Sequence, residues 1–110
     1  MNKNGLYQVK QYYWFLYPTN RAAHLGATAG VTGAATATIR TPGPTTPGDA
    51  AHYAAHWSKE FNCNVTYLSP NTILFPVEIH EKFIKVISTE GIGWMIVADW
   101  AKECFEEVKE

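Results

Sequence analysis

Apolar and polar residues alternate in four short segments of the second half of the chain. A period of two places successive side chains on opposite faces, as in a half-buried β-strand. The segments are residues 63–68, 72–79, 83–88 and 93–98. Asn71 tolerates a left-handed backbone and Glu90-Gly91 favours a tight hairpin, so turns are predicted between strands. Pro76 cannot donate a ladder hydrogen bond and predicts a bulge or an open edge.

The first part of the chain offers one further strand. Residues 11–17, QYYWFLY, are rich in β-favouring aromatic residues and end before Pro18. Because nearly all of them are apolar, we expect a strand covered on both faces, either extending the meander or facing a partner subunit. Residues 1–10 are largely polar, and we expect them to fray.

A helical period appears at residues 50–61, whose apolar side chains recur at helical spacing on one face. Asp49, after Pro47-Gly48, is the predicted N-cap, and Asn62 is predicted to end the helix. A short C-terminal helix is predicted to begin at Asp99, because apolar residues follow at intervals of four.

Residues 19–48 differ from the rest of the chain. They are almost wholly Ala, Gly, Thr and Pro, and they predict a long loop. Residues 34–40 alternate small apolar with polar side chains and predict a short strand within it. A loop of this length is functional, flexible or regular structure that the pattern hides.

These elements predict a single α+β domain spanning residues 1–110. Its core is an antiparallel meander, SH3-like or a small open sheet, with one packed helix and a short C-terminal helix. The 110 residues, 46% of them hydrophobic, are enough for one core.

Composition argues against two classes of partner. The net charge is -1 and charged residues make up 17%, without the basic clusters that nucleic acids or anionic membranes require. No segment approaches the roughly 18 apolar residues of a membrane span. We therefore expect a soluble, cytoplasmic protein with no nucleic-acid or membrane partner. Cys63 and Cys104 are expected as free thiols, with a single disulfide as the alternative.

Residues 67–100 resemble the later strands of bacterial SH3-like domains. The resemblance rests on a turn, a strand ending in Lys-Val, a glycine turn and a Gly-Trp pair. The matching positions are Leu68, Pro70, Thr72, Lys85, Val86, Gly91, Gly93 and Trp94. The N-terminal strand and loop of that family are missing, and helix 50–61 stands in their place. The resemblance implies a small, non-enzymatic recognition module.

Candidate catalytic groups have ordinary alternative explanations. His52 and His56 have a spacing that can chelate zinc, although solvent-facing histidines are the simpler interpretation. Cys63 could act as a nucleophile beside a histidine, but its apolar surroundings favour a structural cysteine. Glu78, Glu81 and Glu90 could act as paired carboxylates in acid–base catalysis. They lie near predicted turns, however, where acidic residues are common. No cofactor is expected.

The loop at 26–48 suggests an anion site. It precedes a helix N-terminus, whose backbone N–H groups can hold an anion, and Arg40 lies close by in sequence. The candidate ligand-binding residues are Arg40, Thr38, Thr41, Thr45, Thr46, Tyr13 and Trp14.

We expect binding rather than catalysis. The main hypothesis is a non-catalytic interaction module that recognises a protein partner and self-associates, because the aromatic content of 14% favours an interface. One alternative is a protein that binds or sequesters a small anionic, nucleotide-like molecule through the 26–48 loop and Arg40. A lesser alternative is a metal- or thiol-dependent enzyme using His52, His56 and Cys63.

Overall fold

The computed structural model describes residues 3, 5–29, 43–81, 83–97 and 99–108. Seven strands, two α-helices and one 3-10 helix make up this part of the chain. In order they are β1 Tyr7–Val9, β2 Trp14–Leu16, α1 Asn20–Ala29, α2 Pro47–Glu60, β3 Thr66–Leu68, β4 Ile73–His80, β5 Phe83–Ser88, β6 Gly91–Ile96, the 3-10 helix Asp99–Cys104 and β7 Phe105–Glu107.

The main sheet has five strands in the order β6-β5-β4-β1-β7. Strands β4, β5 and β6 form consecutive antiparallel hairpins, which confirms an α+β fold with a meander. The sequence predicted four strands in this meander, but β3 pairs instead with β2 in a separate two-stranded ribbon. Alternation identified β3 as a strand; it carries no information about which strand lies beside it.

The ribbon is joined to the main sheet at one point. Tyr17, just after β2, donates its N–H to the carbonyl of Trp94 at 2.8 Å, and the Trp94 N–H donates back at 2.7 Å. Gly93 permits this close approach, since a Cβ there would lie 2.7 Å from the Leu16 side chain and 2.8 Å from the Tyr17 carbonyl oxygen. The strands therefore curl around a shared interior.

The interior and the outside of this curled sheet hold separate cores. The inner core includes Trp14, Leu16, Leu74, Val86, Met95 and Phe105. The outer core lies between the ribbon and the helices and includes Phe15, Tyr17, Ala22, Ala23, Ala54 and Ile96. All three residues of β2 are buried, which confirms the prediction of a strand covered on both faces.

The predicted loop at 19–48 is wrong at both of its ends. Residues 20–29 form α1, whose first turn is capped by the Thr19 hydroxyl accepting the Ala22 N–H at 3.0 Å. The alanines favour a helix here, and their small side chains let it lie close to Tyr17. Helix α2 begins at Pro47, so its N-cap is Thr46 rather than Asp49. The predicted strand at 34–40 lies outside the described residues.

Both ends of the described chain also differ from expectation. Residues 7–9, predicted to fray, form β1 between β4 and β7. The predicted C-terminal helix is a 3-10 helix that ends at Cys104. The next three residues form β7, because pairing with β1 satisfies their backbone groups.

Several local predictions hold. The register of β4 shifts between Pro76 and Glu78, so Pro76 lies at a bulge. Asn71 has a positive φ of 76° in the turn before β4. Asn62, predicted to stop the helix at 50–61, has a φ of 51° just beyond α2.

Candidate functional site

The predicted ligand-binding residues do not converge among the described residues. Arg40, Thr38 and Thr41 lie outside that part of the chain. Trp14 does not line a ligand site as predicted. It is fully buried in the inner core, and its indole N–H donates to the Gln11 carbonyl at 2.7 Å. Its hydrophobicity serves packing and leaves no surface for a ligand.

The two candidate threonines and Tyr13 have different roles. The Thr46 hydroxyl accepts the Asp49 N–H at 3.2 Å and caps α2. Thr45 is exposed. Tyr13 lines a groove beside α2, where its ring meets Tyr67 edge-on with centroids 5.7 Å apart.

The candidate metal ligands, His52 and His56, are exposed to solvent. Both lie on α2, and each ring lies edge-on to the aromatic residue that follows it in sequence, Tyr53 and Trp57 respectively. Within the described residues, no three His, Cys, Asp or Glu side chains gather closely enough to hold a metal ion. The solvent-facing interpretation of these histidines is confirmed.

Both cysteines are free thiols, as predicted. Cys104 is buried in the inner core. Cys63 is half-buried after α2, and burial raises the pKa of its thiol. A raised pKa keeps the thiol protonated near neutral pH, which is the opposite of what activates a nucleophile.

A polar cluster occupies one part of the outer sheet face. Glu78 lies 3.2 Å from His80 and 3.5 Å from the Lys85 ammonium group, which is 5.9 Å from the centre of the Trp94 ring. The hydrogen bond from His80 is the main cause of the lowered pKa of Glu78, and the Lys85 charge adds to it. Because the cluster is exposed, its ion pairs contribute little to the stability of the fold.

The sheet register reveals an apolar row that crosses the outer face. Phe75 pairs with Ile87, and Ile87 pairs with Ile92. Tyr7 pairs with both Leu74 and Glu107, so the residue before it, Leu6, lies beside Phe75 and Val108. The Val108 N–H donates to the Leu6 carbonyl at 2.8 Å. The row therefore runs Val108, Leu6, Phe75, Ile87, Ile92 across β7, β1, β4, β5 and β6.

No element among the described residues covers the row. Four of its members are exposed, Ile92 at 59% and Ile87 at 46%, and Phe75 is half-buried. Helix α1 covers the same face further along the strands, where His24 stacks on Phe83 at 3.9 Å and Ile96 is buried. The helix layer stops short of the apolar row.

A groove of about 620 Å³ lies between α2 and β3. Its helix wall is made of small residues, including Ala51, Ala55 and Ser58. Its strand wall includes Thr66 and Tyr67, and Glu90 is the one charged residue among the described lining residues. Such a volume is in the range of natural ligand sites.

Comparison with protein families, curated proteins and solved structures finds no match to this chain. Across the described residues, no helix has both the length and the apolar character needed to cross a membrane. The function is therefore inferred from the apolar row and the groove.

Sequence reasoning missed both features. The alternation predicted at residues 72–79 places Ile73, Phe75, Val77 and Ile79 on one face, but the bulge after Pro76 ends that alternation. The row also depends on β1 and β7, which were not predicted. The sequence contains one signal for the apolar row. Ile87 and Ile92 are bulky apolar residues on either side of a predicted hairpin turn, and alternation places both on the face opposite the core.

Proposed function

We propose that the protein is a non-catalytic interaction module that self-associates, face to face, through the apolar row. The observation that supports this proposal is the concentration of exposed large hydrophobic residues on one surface. Seven such residues are found among the described residues, and five of them share this face: Leu6, Ile73, Ile87, Ile92 and Val108. Isolated exposed apolar residues are ordinary, whereas a contiguous patch marks an interface.

The size of the row supports a protein surface as its partner. Five strands spaced about 4.8 Å apart give a row about 19 Å wide. An exposed row of that width on the outer side of a sheet suits another protein surface better than a small molecule, which needs a concave site. Two such sheets pack readily with their apolar faces together.

The charges beside the row favour a second copy as the occupant. On one side Lys10 pairs with Glu106 at 3.3 Å, and on the other Lys85 pairs with Glu78 at 3.5 Å. Each flank thus carries a basic side chain paired with an acidic one, and His80 lies beside Glu78 on the second flank. A second copy presents flanks with the same balance of basic and acidic side chains, so neither flank meets a net charge of its own sign. The surface is therefore self-complementary.

The spread of reactive groups supports binding over catalysis. The histidines of α2 are exposed, the Cys63 thiol has a raised pKa, and Glu78 is on the outer sheet face. None of these groups is positioned to act on a substrate that another of them binds.

Sedimentation equilibrium of the wild type and Ile92→Glu tests this proposal. We expect the wild type to dimerise between about 1 and 300 µM, and the variant to dissociate at least about tenfold more readily, because each dimer would bury two carboxylates in an apolar interface. Ile92 is more than half exposed, so the monomer should stay folded, which circular dichroism verifies.

Leu25→Glu is the matched control. Leu25 is exposed to a similar extent, 43%, but belongs to α1. Its substitution should leave association unchanged. A wild type that is monomeric across the whole concentration range, or equal weakening by both substitutions, would refute the proposed interface.

A further inference from the structure

Strand β3 has one unpaired edge in the described part of the chain. It pairs with β2 on one side, and no described strand pairs with the other. Its free side faces α2, across the groove. An edge strand presents main-chain donors and acceptors that can bind another extended chain.

The hydrogen bonds of Tyr17 establish which groups lie on that edge. In antiparallel strands, the N–H and C=O of one residue point to the same side, and successive residues alternate. Tyr17 directs both groups to Trp94, so Leu16 directs its own to Thr66 in β3. Tyr67, the next residue of β3, therefore directs its N–H and C=O away from β2.

Ser58 confirms this direction at the residue two positions earlier. Its hydroxyl accepts the Val65 N–H at 2.8 Å and lies 3.1 Å from the Val65 carbonyl oxygen. The side chain of Ser58 thus occupies the place that the main chain of an added strand would take beside Val65. Beyond it, at Tyr67, the edge is open to the groove.

The lining shows that the groove runs along the edge of β3. Thr66 and Tyr67 are successive strand residues whose side chains point to opposite faces, yet both line the groove. Opposite them, Ala51 and Ala55 are exposed and have side chains too small to fill the space. Room is left for a main chain with small side chains.

We propose that this groove binds an extended peptide segment of a partner protein, which adds to β3 as a strand and pairs with Tyr67. Small apolar side chains of the peptide lie over Ala51 and Ala55. A basic side chain of the peptide is drawn towards Glu90, which is the charged residue in the described part of the lining. Main-chain pairing supplies affinity, and the alanine wall selects narrow side chains.

The groove and the apolar row have no residue in common, although Ile92, at one end of the row, lines a small cavity together with Thr66 and Glu90 of the groove. The partner in the groove is a different molecule from the partner of the row. Peptide binding and self-association can therefore fail independently. The peptide experiments use the wild type and Val108→Glu, whose substitution lies at the end of the row away from Ile92 and outside the groove, so that loss of self-association is not mistaken for loss of peptide binding.

Amide hydrogen exchange of the free protein tests the open edge directly. We expect the Tyr67 amide to exchange rapidly and the Thr66 and Leu68 amides, which face β2, to exchange slowly. Slow exchange at Tyr67 in the Val108→Glu variant would show that the edge is already paired, and would overturn the proposal.

The ligand test uses random seven-residue peptides displayed on phage, selected against the immobilised protein. Selected peptides, made synthetically, should slow exchange at Tyr67 and bind at least about tenfold more weakly to Ala55→Trp, whose large side chain fills the groove. His52→Trp is the matched control, because His52 lies on α2 but outside the groove, and it should bind as the wild type does.

Backbone methylation distinguishes strand pairing from side-chain binding. Methyl groups on alternate peptide nitrogens should weaken binding by about tenfold in one of the two alternating sets and little in the other. Failure to select any peptide, equal binding to Ala55→Trp, or indifference to both methylation sets would each contradict the proposal.

Discussion

At the scale of single residues, Tyr17 links the layers of the molecule. Its main chain ties the ribbon to β6, and its ring is fully buried under α1. Gly26 of α1 lies so close that a Cβ there would come 2.5 Å from the phenol oxygen. Burial is the main cause of the raised pKa of Tyr17, and the nearby Cys63 thiol adds to it.

Tyr17→Phe should remove a source of alkaline instability. The folded protein holds the phenol proton more tightly than the unfolded chain, whose pKa is about 10. The resulting stability is present below about pH 10 and is lost as pH rises above it, by up to about 1.4 kcal/mol per pH unit. Urea unfolding at about pH 8 and pH 11 should show a smaller loss in the variant than in the wild type.

The pH comparison has an internal control. Near neutral pH the variant should be at least as stable as the wild type, because no described residue forms a hydrogen bond with the buried hydroxyl. An equal loss of stability in both proteins at high pH would show that Tyr17 is not responsible.

Residues that govern their own backbone were predictable from sequence. Asn71, Asn62 and Pro76 act through local sterics, which do not depend on distant partners. The aromatic run was harder. Trp14 was predicted to meet a ligand, yet it is in the core, and Tyr13 faces the groove. A run without polar residues has no alternation to show which side chains are outside.

At the scale of elements, the contact between β2 and β6 shapes the sheet. It depends on a few hydrogen bonds around Tyr17 and on the absence of a side chain at Gly93. One neighbour of that missing side chain is the Tyr17 carbonyl oxygen, which cannot move without breaking the bridge to Trp94.

Gly93→Ala should therefore destabilise the fold. We expect a loss of about 1–3 kcal/mol in the free energy of unfolding, the usual cost of forcing a methyl group into a packed site. Gly48→Ala is the matched control, since a Cβ there meets nothing within 4 Å and alanine suits a helix better than glycine. Urea denaturation of both variants measures the difference; equal stabilities would show that the strands can separate without cost.

Element length decided which elements the sequence could reveal. The three strands of the meander have six to eight residues and showed clear alternation. Strands β1 and β7 have three residues each, too few to establish a period. Helix α1 was missed because its Ala, Gly and Thr residues resemble those of the loop that was predicted around it.

At the scale of the whole molecule, the curled sheet separates two surfaces. The apolar row occupies the outer face of the main sheet, whereas the groove lies between the ribbon and α2. Neither surface follows from local pattern, because both require strands distant in sequence to be neighbours.

Self-association should make thermal stability depend on protein concentration. A dimer that forms only from folded chains shifts the folding equilibrium by mass action, so the wild-type Tm should rise between about 5 and 500 µM. The Tm of Ile92→Glu should stay constant. A wild-type Tm that does not change with concentration would contradict self-association in this range.

The position of β1 has a consequence for the order in which the chain folds during synthesis. β1 leaves the ribosome before both of its neighbours, β4 and β7, and Val9 is paired with Phe105. Both edges of β1 therefore stay unpaired until residues near 74 emerge from the ribosome. One edge then stays unpaired until residue 105 emerges. Translation that stalls between these points would leave an unpaired apolar strand, and such nascent chains are the ones expected to aggregate or to need a chaperone.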